Sequence, residues 1–300
     1  MVRNVAEDVA HLEAEDVHLL SGIEQGMRFS EWVARGKLPE FARLTPEEVD
    51  YRLDRCLDRE LIRRKTIQYE GYQLEFEGYD VLALHTFAER ETVFDVGGPL
   101  GVGKESDVYE ARSYRPLALK YHREGITNFR EVQKERDYTS DKHHVSWLYT
   151  ARKAAERESE VLEALYPEVS VPQPIDHNRH AVVMERIDGV ELSRADLADG
   201  ARTILELVFA ELETAYEVGY VHADVSEYNV FVTDEGVVVF DWPQAVPTDH
   251  PNAGEFLERD VSNMLGYARR KYPGAIDEPD AAAIAADLRA GAFADLGAYE

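Results

Sequence analysis

The spacing of apolar residues in the first ninety positions predicts three helices followed by a β-hairpin. Apolar side chains recur at helical intervals within Leu12–Gly26, Ser30–Ala42 and Thr45–Glu60. Two strand-like runs, Ile62–Tyr69 and Tyr72–Phe76, follow and are joined at a Glu-Gly turn. This order is typical of a winged helix-turn-helix with the third helix in the recognition position. We therefore expect such a domain over residues 1–90.

The third of these helices has the clearest local signals. Thr45-Pro46-Glu47-Glu48 forms a capping box with proline at the first helical position. Val49, Leu53, Cys56 and Leu57 then line one face of the helix. This stripe predicts that Cys56, the single cysteine, is a core residue rather than a reactive thiol.

Beyond residue 90 the pattern alternates between strands and helices. A glycine-rich stretch and an apolar strand come first, and the polar segment from His122 to Val145 has neither period, so we expect a loop there. A further helix begins at the capping box Asn252-x-x-Glu255. The other predicted elements are helices over 146–166 and 201–218, a strand over 181–187 and a hairpin that joins 230–232 to 237–240. Such a mixture predicts an α+β fold.

The composition limits the class of protein. Three hundred residues with a hydrophobic content of 44% are enough for one large folded domain or two smaller ones. No apolar run approaches the roughly 20 residues of a membrane span, and Glu7 and Asp8 stand where a signal peptide is basic and then apolar. The single cysteine fits a reducing compartment. We expect a cytoplasmic protein without membrane contact.

The net charge of −26 is unusual for this length. Such self-repulsion opposes compactness and binding to phosphate-rich partners unless salt screens it. The acidic residues are spread along the whole chain, and arginine outnumbers lysine among the basic ones. This pattern favours adaptation to a very salty cytoplasm over an acidic surface that docks a basic partner, which requires clustered acids.

The strongest chemical signal is the stretch from Val221 to Asn229, which contains the pattern H-x-D-x-x-x-x-N. Phosphoryl-transfer enzymes of the protein-kinase type use this spacing for a base and a metal ligand. Asp224 is then the group that takes the proton of the acceptor hydroxyl, and Asn229 binds Mg²⁺ without adding charge. The predicted hairpin returns Asp241 beside Asn229, where it completes the metal site.

The glycine-rich stretch from Val96 to Tyr109 is a candidate phosphate-binding loop, because glycines let backbone N–H groups approach a phosphate closely. A Walker A assignment fails, since Glu105 stands where Ser or Thr must hold Mg²⁺ and a strand rather than a helix follows. The alternative is a kinase-type loop, Gly101-x-Gly103-x-x-Ser106, which is one glycine short.

Lys120 lies on an apolar strand that parallels the V-A-I-K strand of protein kinases. A buried ammonium needs anions, and ATP phosphates together with a helix glutamate would supply them. Glu158 shares its helix face with apolar residues and is the candidate for this glutamate. Glu156 and Glu160 are the alternatives.

Two features concern the substrates. The strand over 181–187 leads into a hinge, where backbone groups of Glu185 and Ile187 are expected to hold an adenine ring. Only a short segment separates Asp241 from the next helix, no A-P-E motif is present, and Ala223 replaces the arginine that pairs with a phosphorylated activation loop. The site therefore lacks the usual platform for a peptide substrate.

The recognition helix and the wing carry a basic stripe. Arg52, Arg55 and Arg59 lie on one helix face. Arg63, Arg64 and Lys65 continue the basic surface into the wing. Such a stripe is a candidate for contact with a nucleic-acid backbone rather than with bases. The alternative is an exposed, self-paired helix face, because Asp50, Asp54 and Asp58, which are four residues apart from one another, stand beside the arginines.

In several sequence motifs the chain resembles the RIO family of atypical protein kinases, and within it the subfamily with an N-terminal winged helix. The resemblance covers nearly the whole chain and rests on Tyr69–Tyr72, Gly78–Asp80, the string G-V-G-K-E-S-D-V-Y from Gly101, S-E-Y-N from Ser226 and D-W-P-Q from Asp241. G-x-G-K-E-S and S-E-Y-N are quite specific to the family. Ala223 and Trp242 depart from it, since many relatives have glycine and phenylalanine there.

The resemblance implies a bilobal serine/threonine kinase or ATPase that uses ATP and Mg²⁺, with Mn²⁺ as an alternative, in maturation of the small ribosomal subunit. The kinase domain is expected over 91–284, with lobes over about 91–184 and 188–284 and a tail over 285–300. Asp224, Lys120 and Asp241 would be catalytic, Asn229 and Asp241 would hold metal, and Asp241 would accept phosphate. The nucleotide would contact Gly101, Gly103, Lys104, Ser106, Val108, Lys120, Glu158, Met184, Glu185 and Ile187. The expected partners of this monomer are the small-subunit precursor and its rRNA, bound through the winged helix.

Two other functions stay open. Small-molecule kinases of the aminoglycoside or choline type share H-x-D-x-x-x-x-N and lack a peptide platform, but they do not predict a winged helix. A nucleic-acid-binding regulator with a degenerate kinase domain would require a loss of activity that the sequence does not reveal, since every catalytic position is filled.

Overall fold

The structure is a computed structural model that describes residues 5–66, 68–123, 147–197, 200–276 and 279–299. It divides into two compact units. The N-terminal unit comprises Met1–Glu156 and Asp176–Val183, and the C-terminal unit comprises Arg157–Ile175 and Met184–Glu300. The predicted loop from His122 to Val145 lies, beyond Arg123, outside the described residues.

A winged helix-turn-helix begins the N-terminal unit, as predicted. Its helices are α1 (Val5–His11), α2 (Ala14–Gly26), α3 (Leu38–Ala42), α4 (Pro46–Asp58) and α5 (Phe76–Glu89), and its strands are β1 (Val33–Ala34), β2 (Ile62–Thr66) and β3 (Glu70–Leu74). The strands form an antiparallel sheet in the order β1-β3-β2. Leu20, Leu53 and Cys56 are fully buried, and burial raises the pKa of the Cys56 thiol to about 12. Cys56 is therefore a core residue, as its spacing predicts.

The sequence pattern misses three features of this region, and one of them is helix α1 (Val5–His11), which precedes the predicted helices. Ser30–Ala42 is not one helix, because Val33 pairs with Tyr72 of β3 and only Leu38–Ala42 is α-helical. Helix α5 is not predicted at all. Its buried residues lie on every side, from Gly78 continuously to Leu84, so it has no polar face to create a helical period.

A five-stranded sheet follows in the chain. Its strands are β4 (Asp95–Val102), β5 (Ser106–Arg112), β6 (Pro116–His122), β7 (Pro174–Asn178) and β8 (Ala181–Glu185), in the order β4-β5-β6-β8-β7. The pairs β4-β5 and β5-β6 are antiparallel, with Gly101 opposite Val108 and Val108 opposite Lys120. The register therefore places the glycine-rich segment and the predicted lysine on either side of one strand.

Helices dominate the C-terminal unit. They are α6 (Trp147–Leu165), which belongs to this unit from Arg157 onward, α7 (Ala201–Val218), α8 (Ala253–Lys271) and α9 (Ala281–Ala290). The short strands are β9 (Val190–Glu191), β10 (Tyr220–Val221), β11 (Val230–Thr233), β12 (Gly236–Val239) and β13 (Val246–Pro247), in two sheets ordered β12-β11-β9 and β10-β13. The predicted helix over 201–218 and the predicted hairpin, β11 with β12, are both present. Within the described chain, no helix has the length and apolar character needed to cross a membrane.

Helix capping gives a test of this fold. Thr45 Oγ1 accepts a hydrogen bond from the Glu48 amide at 3.2 Å at the start of α4. Asn252 occupies the same position of α8 but makes no side-chain capping bond, so the predicted capping box there is wrong. Thr45→Ala should lower the free energy of unfolding by about 1 kcal/mol.

Asn252→Ala is the matched control and should change the free energy of unfolding by less than about 0.5 kcal/mol. Thermal denaturation of both variants in the same salt buffer makes the comparison. Equal losses of Tm in the two variants would contradict the capping assignment.

Candidate active site and nucleic-acid surface

The glycine-rich segment forms the hairpin between β4 and β5. The Gly103 amide donates to the Ser106 carbonyl at 2.9 Å and closes the turn. A Cβ built on Gly101 meets no atom within 4 Å, so the protein's own packing does not require glycine there. Lys104 is exposed at the tip, and strand β5 follows, which excludes a Walker A loop. Open backbone beside a tight turn fits the close approach of phosphates.

Lys120 lies on β6 and is 5% exposed. Directly opposite residues of an antiparallel pair project from the same face of a sheet, so Lys120 shares a face with Val108, and Val108 with the Gly101 position. A buried ammonium requires negative charge nearby. The sheet therefore presents its lysine on the same face as the nucleotide-loop residues that the sequence predicts.

The predicted catalytic loop runs from His222 to Asn229, directly after β10. Asp224 is exposed and Asn229 is buried. The Ser226 hydroxyl donates to the side-chain oxygen Oδ1 of Asn229 at 2.7 Å, and the backbone amide of Asn229 donates to the Ser226 carbonyl at 3.0 Å. Ser226 thereby fixes the side chain of the predicted metal ligand.

Phe240 joins this loop to Asp241. The Phe240 amide donates to the Asn229 carbonyl at 2.9 Å, and His222 Nε2 lies 3.0 Å from the Phe240 carbonyl oxygen. Because Phe240 directly precedes Asp241, both backbone bonds hold Asp241 beside the loop. The predicted return of Asp241 to Asn229 is therefore what the hairpin produces, with Val230 paired to Val239 at its base.

His222 is a fixed donor in this arrangement. Burial lowers the pKa of its imidazole, although Asp241, Asp224 and Glu158 all favour the charged ring. A carbonyl oxygen only accepts, so the proton lies on Nε2. The ring also lies against Trp242, with ring centroids 4.4 Å apart. The packed imidazole therefore orients the backbone of Phe240.

Two residues of the site have left-handed backbone. Ala223 has φ of 67° and Asp241 has φ of 69°, a region that non-glycine residues seldom adopt. The conformation explains why glycine suits position 223. In this chain the surrounding hydrogen bonds hold an alanine there: the Ala223 amide donates to Asp260 Oδ2 at 2.8 Å, and the Arg259 guanidinium donates to the Ala223 carbonyl.

Asp260 is a positioning residue that the sequence analysis missed. Its other oxygen, Oδ1, accepts the Val225 amide at 3.0 Å, so one carboxylate holds both residues that flank Asp224. Burial raises the pKa of Asp260 to about 7, against the opposing effect of these N–H groups and of Arg259. The signal was present, since an acid stands on the apolar stripe of α8 between Leu257 and Met264.

Glu158 is the helix glutamate that points inward. It is 1% exposed, and its Oε1 accepts the Trp242 amide at 3.3 Å. The alternatives fit less well, because Glu156 pairs with Lys153 on the surface and Glu160 is exposed. Glu158 and Lys120 belong to different units, and their pairing stays a prediction.

The hinge residues follow β8. Met184 is buried, while Glu185 and Ile187 are partly exposed. The Glu185 amide already donates to the Gln173 carbonyl at 2.9 Å. Of the two backbone groups of Glu185, only the carbonyl is then suited to hold an adenine ring, whereas the prediction included both.

The predicted donor set fits a magnesium ion. Amide and carboxylate oxygens are the protein ligands that Mg²⁺ prefers, and it usually takes only one or two carboxylates and completes its shell with water and phosphate oxygens. Asn229 and Asp241 supply one of each type at adjacent positions. In the described part of the chain no group of three or more His, Cys, Asp and Glu residues could hold a metal by itself.

One arginine of the helix part of the predicted basic stripe, Arg52, faces inward. Arg52 is buried and forms ion pairs with Glu13, Glu15, Asp16 and Glu48. The prediction that it forms an exposed phosphate-binding surface is therefore wrong. The acids that face it come mainly from α2, which the spacing along α4 alone does not reveal.

The other four arginines have partners but are more exposed. Arg55 pairs with Asp16 at 2.9 Å and Arg59 with Asp8 at 3.3 Å. In the wing, Arg63 pairs with Glu75 and Arg64 with Glu70, and their side chains are 44% and 54% exposed. The wing is thus the most exposed part of the stripe.

The glycine-rich hairpin, the lysine strand, the H-x-D-x-x-x-x-N loop and the adjoining Asp241 together define a protein-kinase-like phosphotransferase with a winged helix before it. The RIO domain family matches residues 107–281, and the family described as Rio2, N-terminal, matches residues 9–90. The chain therefore belongs to the RIO family, with an N-terminal domain of the Rio2 type.

Similar proteins agree with this assignment. The chain is 41% identical to the RIO-type serine/threonine-protein kinase Rio2 of Methanocaldococcus jannaschii over 85% of this chain and 95% of that protein. It is 35% identical to the serine/threonine-protein kinase rio2 of Schizosaccharomyces pombe over 93% of this chain and 83% of that protein. The crystal structure of the Rio2 kinase-ADP/Mg²⁺-phosphoaspartate complex from Chaetomium thermophilum matches with a TM-score of 0.80 and 30% identity, over 95% of this chain and 89% of that chain.

Asp260→Asn tests the support of the catalytic loop. Asparagine keeps the size but has one acceptor oxygen, and its NH₂ group would face a backbone donor. Amide hydrogen exchange at Ala223 or Val225 should accelerate at least about tenfold, which corresponds to the loss of about 1.4 kcal/mol of local stability.

Glu258→Gln, on the exposed side of the same helix, is the control and should leave both amides unchanged. Exchange is measured by NMR or by mass spectrometry on the loop peptide. Full protection of the loop in the Asp260→Asn variant would show that Asp260 does not hold it.

Proposed function

We propose that this chain is an ATP- and Mg²⁺-dependent serine/threonine kinase with ATPase activity that acts in maturation of the small ribosomal subunit. The joining of the Asp224–Asn229 loop to Asp241 through Phe240 carries the proposal. The similar Rio2 kinase from Chaetomium thermophilum is described as a complex with ADP, Mg²⁺ and phosphoaspartate. The donor set of Asn229 and Asp241 suits these ligands.

The residues divide the work of phosphoryl transfer. Asp224 takes the proton of the attacking hydroxyl, and Asn229 and Asp241 hold the metal. Mg²⁺, or Mn²⁺ in its place, neutralises charge on the phosphates when bound. Lys120 contacts the phosphates, and Glu158 orients it. The remaining nucleotide contacts are assigned to Gly101, Gly103, Lys104, Ser106, Val108, Met184, Glu185 and Ile187.

The described residues that follow Asp241 offer little structure that could hold a peptide acceptor. Between Asp241 and α8 lie only a turn and strand β13, which pairs with β10. A short segment tied to the catalytic unit in this way is not an open platform. Transfer of the γ-phosphoryl group of ATP to the Asp241 carboxylate, with release of ADP, followed by hydrolysis by a water whose proton Asp224 accepts, accounts for ATP turnover without such a platform. We assign Asp241 this role.

The two competing functions lose support. A small-molecule kinase of the aminoglycoside or choline type does not require a winged helix, and the Rio2-type match covers residues 9–90. A regulator with a degenerate kinase domain does not require the catalytic loop to be held by Asp260 and Phe240. We retain domains over 1–90 and 91–284 within this proposal, but the expected start of the tail at 285 falls inside helix α9 (Ala281–Ala290).

The partners that we assign are the small-subunit precursor and its rRNA, bound by a cytoplasmic monomer through the wing. A groove of about 710 Å³ between α4 and the wing is lined by Arg63 and Arg64, but also by Asp54 and Asp58. The carboxylates oppose phosphate inside the groove. RNA backbone contact therefore falls on the exposed arginines of the wing, and salt must screen the net charge of −26.

Asp224→Asn tests the catalytic role. The variant loses the proton acceptor, so turnover of ATP in molar KCl with Mg²⁺ should fall by about 10²–10⁴-fold while nucleotide affinity changes little. Asp234→Asn, an exposed carboxylate in the β11-β12 turn, is the control and should keep full turnover. Unchanged turnover in Asp224→Asn would exclude this assignment.

The same preparation tests the acceptor. Labelled ATP should leave an alkali-labile label on the wild-type chain, and Asp241→Asn should lose it. An alkali-stable label would instead indicate phosphorylation of serine or threonine. Nucleotide turnover that depends on a small alcohol or sugar would favour the small-molecule kinase.

Replacement of Arg63 and Arg64 together by alanine tests the wing. Binding to small-subunit rRNA should weaken, and the slope of log K against log salt should decrease by about 1–2, because two phosphate contacts are lost. Arg112→Ala, an exposed and acid-paired arginine outside the winged helix, is the control. Equal slopes for both variants would show that the wing does not contact the RNA backbone.

A further inference from the structure

A buried ionic cluster lies where α5 meets the five-stranded sheet of the N-terminal unit. Both guanidinium NH₂ groups of Arg123 donate to Asp80, at 2.6 Å and 2.7 Å. His180 Nε2 lies 2.7 Å from Asp80 Oδ1. Asp80, Arg123 and His180 are all buried, so solvent does not screen the contacts. The cluster connects the winged helix to the strands that carry the predicted nucleotide loop.

Together with Asp107, which also pairs with Arg123, the cluster contains two carboxylates and one cation. Burial opposes ionisation of Asp80, yet Arg123 and His180 hold the pKa of its carboxyl below the ordinary value. Burial lowers the pKa of His180 to about 4, so its ring is neutral and donates through Nε2. Arg123 therefore supplies the positive charge that pairs with both carboxylates, Asp80 and Asp107.

Arg123 also holds the nucleotide loop. Its Nε donates to Asp107 Oδ2 at 2.8 Å, and its backbone amide donates to the Glu105 carbonyl at 2.7 Å. Glu105 lies between Lys104 and Ser106, at the turn of the β4-β5 hairpin. Arg123 thus holds the β4-β5 hairpin at two points, Glu105 in the turn and Asp107 at the start of β5.

Aromatic rings restrict the guanidinium further. Its carbon lies 5.2 Å from the ring centroid of Phe76 at the start of α5 and 5.4 Å from that of Tyr121 on β6. Tyr79 stacks on His180 with centroids 4.4 Å apart. A displacement of α5 would therefore move the group to which the loop is bonded.

We propose that Arg123 is a positioning residue for the nucleotide loop and that Asp80 of the winged helix holds it in place, so that α5 sets the affinity of the loop for ATP. The inference rests on the proposed function, because it takes the loop to be the ATP site. A packed core transmits a local displacement to the groups packed against it. Loss of the Asp80 bonds should therefore displace the nucleotide loop and lower its affinity for ATP.

A second ion pair between the same two regions supplies a matched control. Arg179, in the turn between β7 and β8, donates to Glu24 of α2 at 2.9 Å and to Thr86 Oγ1 of α5 at 3.1 Å. None of the contacts of this guanidinium among the described residues reaches the β4-β5 hairpin. Its loss should affect stability without affecting the nucleotide.

The experiment compares Asp80→Asn with Glu24→Gln. Both should lower Tm, but only Asp80→Asn should raise the Kd for Mg²⁺-ADP, measured by calorimetry, and the KM for ATP, each about tenfold, with kcat changed less than about threefold. Arg123→Lys should behave like Asp80→Asn, because an ammonium cannot bond both carboxylates as the planar guanidinium does.

Asp107→Asn keeps the test decisive if the buried variants do not fold. Asp107 lies on β5 and its side chain is 18% exposed, so its loss leaves the core intact while it removes the bond to the loop strand. Its KM for ATP should also rise.

Unchanged nucleotide affinity in the folded variants, beside normal wild-type binding, would overturn the inference alone. Equal rises of KM in Glu24→Gln and Asp80→Asn would overturn it too, because a general loss of stability would then explain both. No binding of Mg²⁺-ADP by the wild-type chain would overturn the proposed function and the inference with it.

Discussion

The geometry of the catalytic loop depends on one buried carboxylate. Asp260 accepts the amides of Ala223 and Val225, and these bonds hold a left-handed alanine that would otherwise cost on the order of 1 kcal/mol or more. Two hydrogen bonds between the loop and the backbone of Phe240 then hold the next residue, Asp241, beside the loop. The predicted metal site is thus fixed by helix α8, which lies outside the motif that identifies it.

Short-range pairing inside the fold is compatible with the large net charge outside it. Asp80, Arg123 and Arg52 are buried and satisfied by partners at 2.6–3.3 Å. Salt screens exposed charges over a Debye length of about 3 Å at 1 M, but it screens buried pairs far less. High salt therefore removes surface repulsion and leaves these internal pairs in place. The same screening would weaken the proposed contact with RNA, since that contact depends on exposed cations.

Local signals account for the parts of the fold and site that the sequence predicts. The cap of α4, the period of α7 and the turn between β11 and β12 each involve neighbouring residues. Asp224, Asn229 and Asp241 are identified by spacing for the same reason. Helix α5, which is buried on all sides, has no such signal. The apolar stripe of α8 indicates that Asp260 is buried, but the groups that it bonds are more than thirty residues away in the chain. Arg123 likewise bonds Asp80 across more than thirty residues, so what these two side chains hold follows only from the tertiary structure.

The arginine stripe shows where periodicity stops being informative. A helical period places Arg52, Arg55 and Arg59 on one face of α4, but it does not say what that face meets, and here it meets the acids of α1 and α2. A paired arginine must give up one carboxylate before it gains a phosphate, so its net contribution to RNA binding is the difference of two ion pairs. The acids of the first two helices thus act as internal counterions. Among the arginines of the stripe, those of the wing, Arg63 and Arg64, keep the largest exposed fractions.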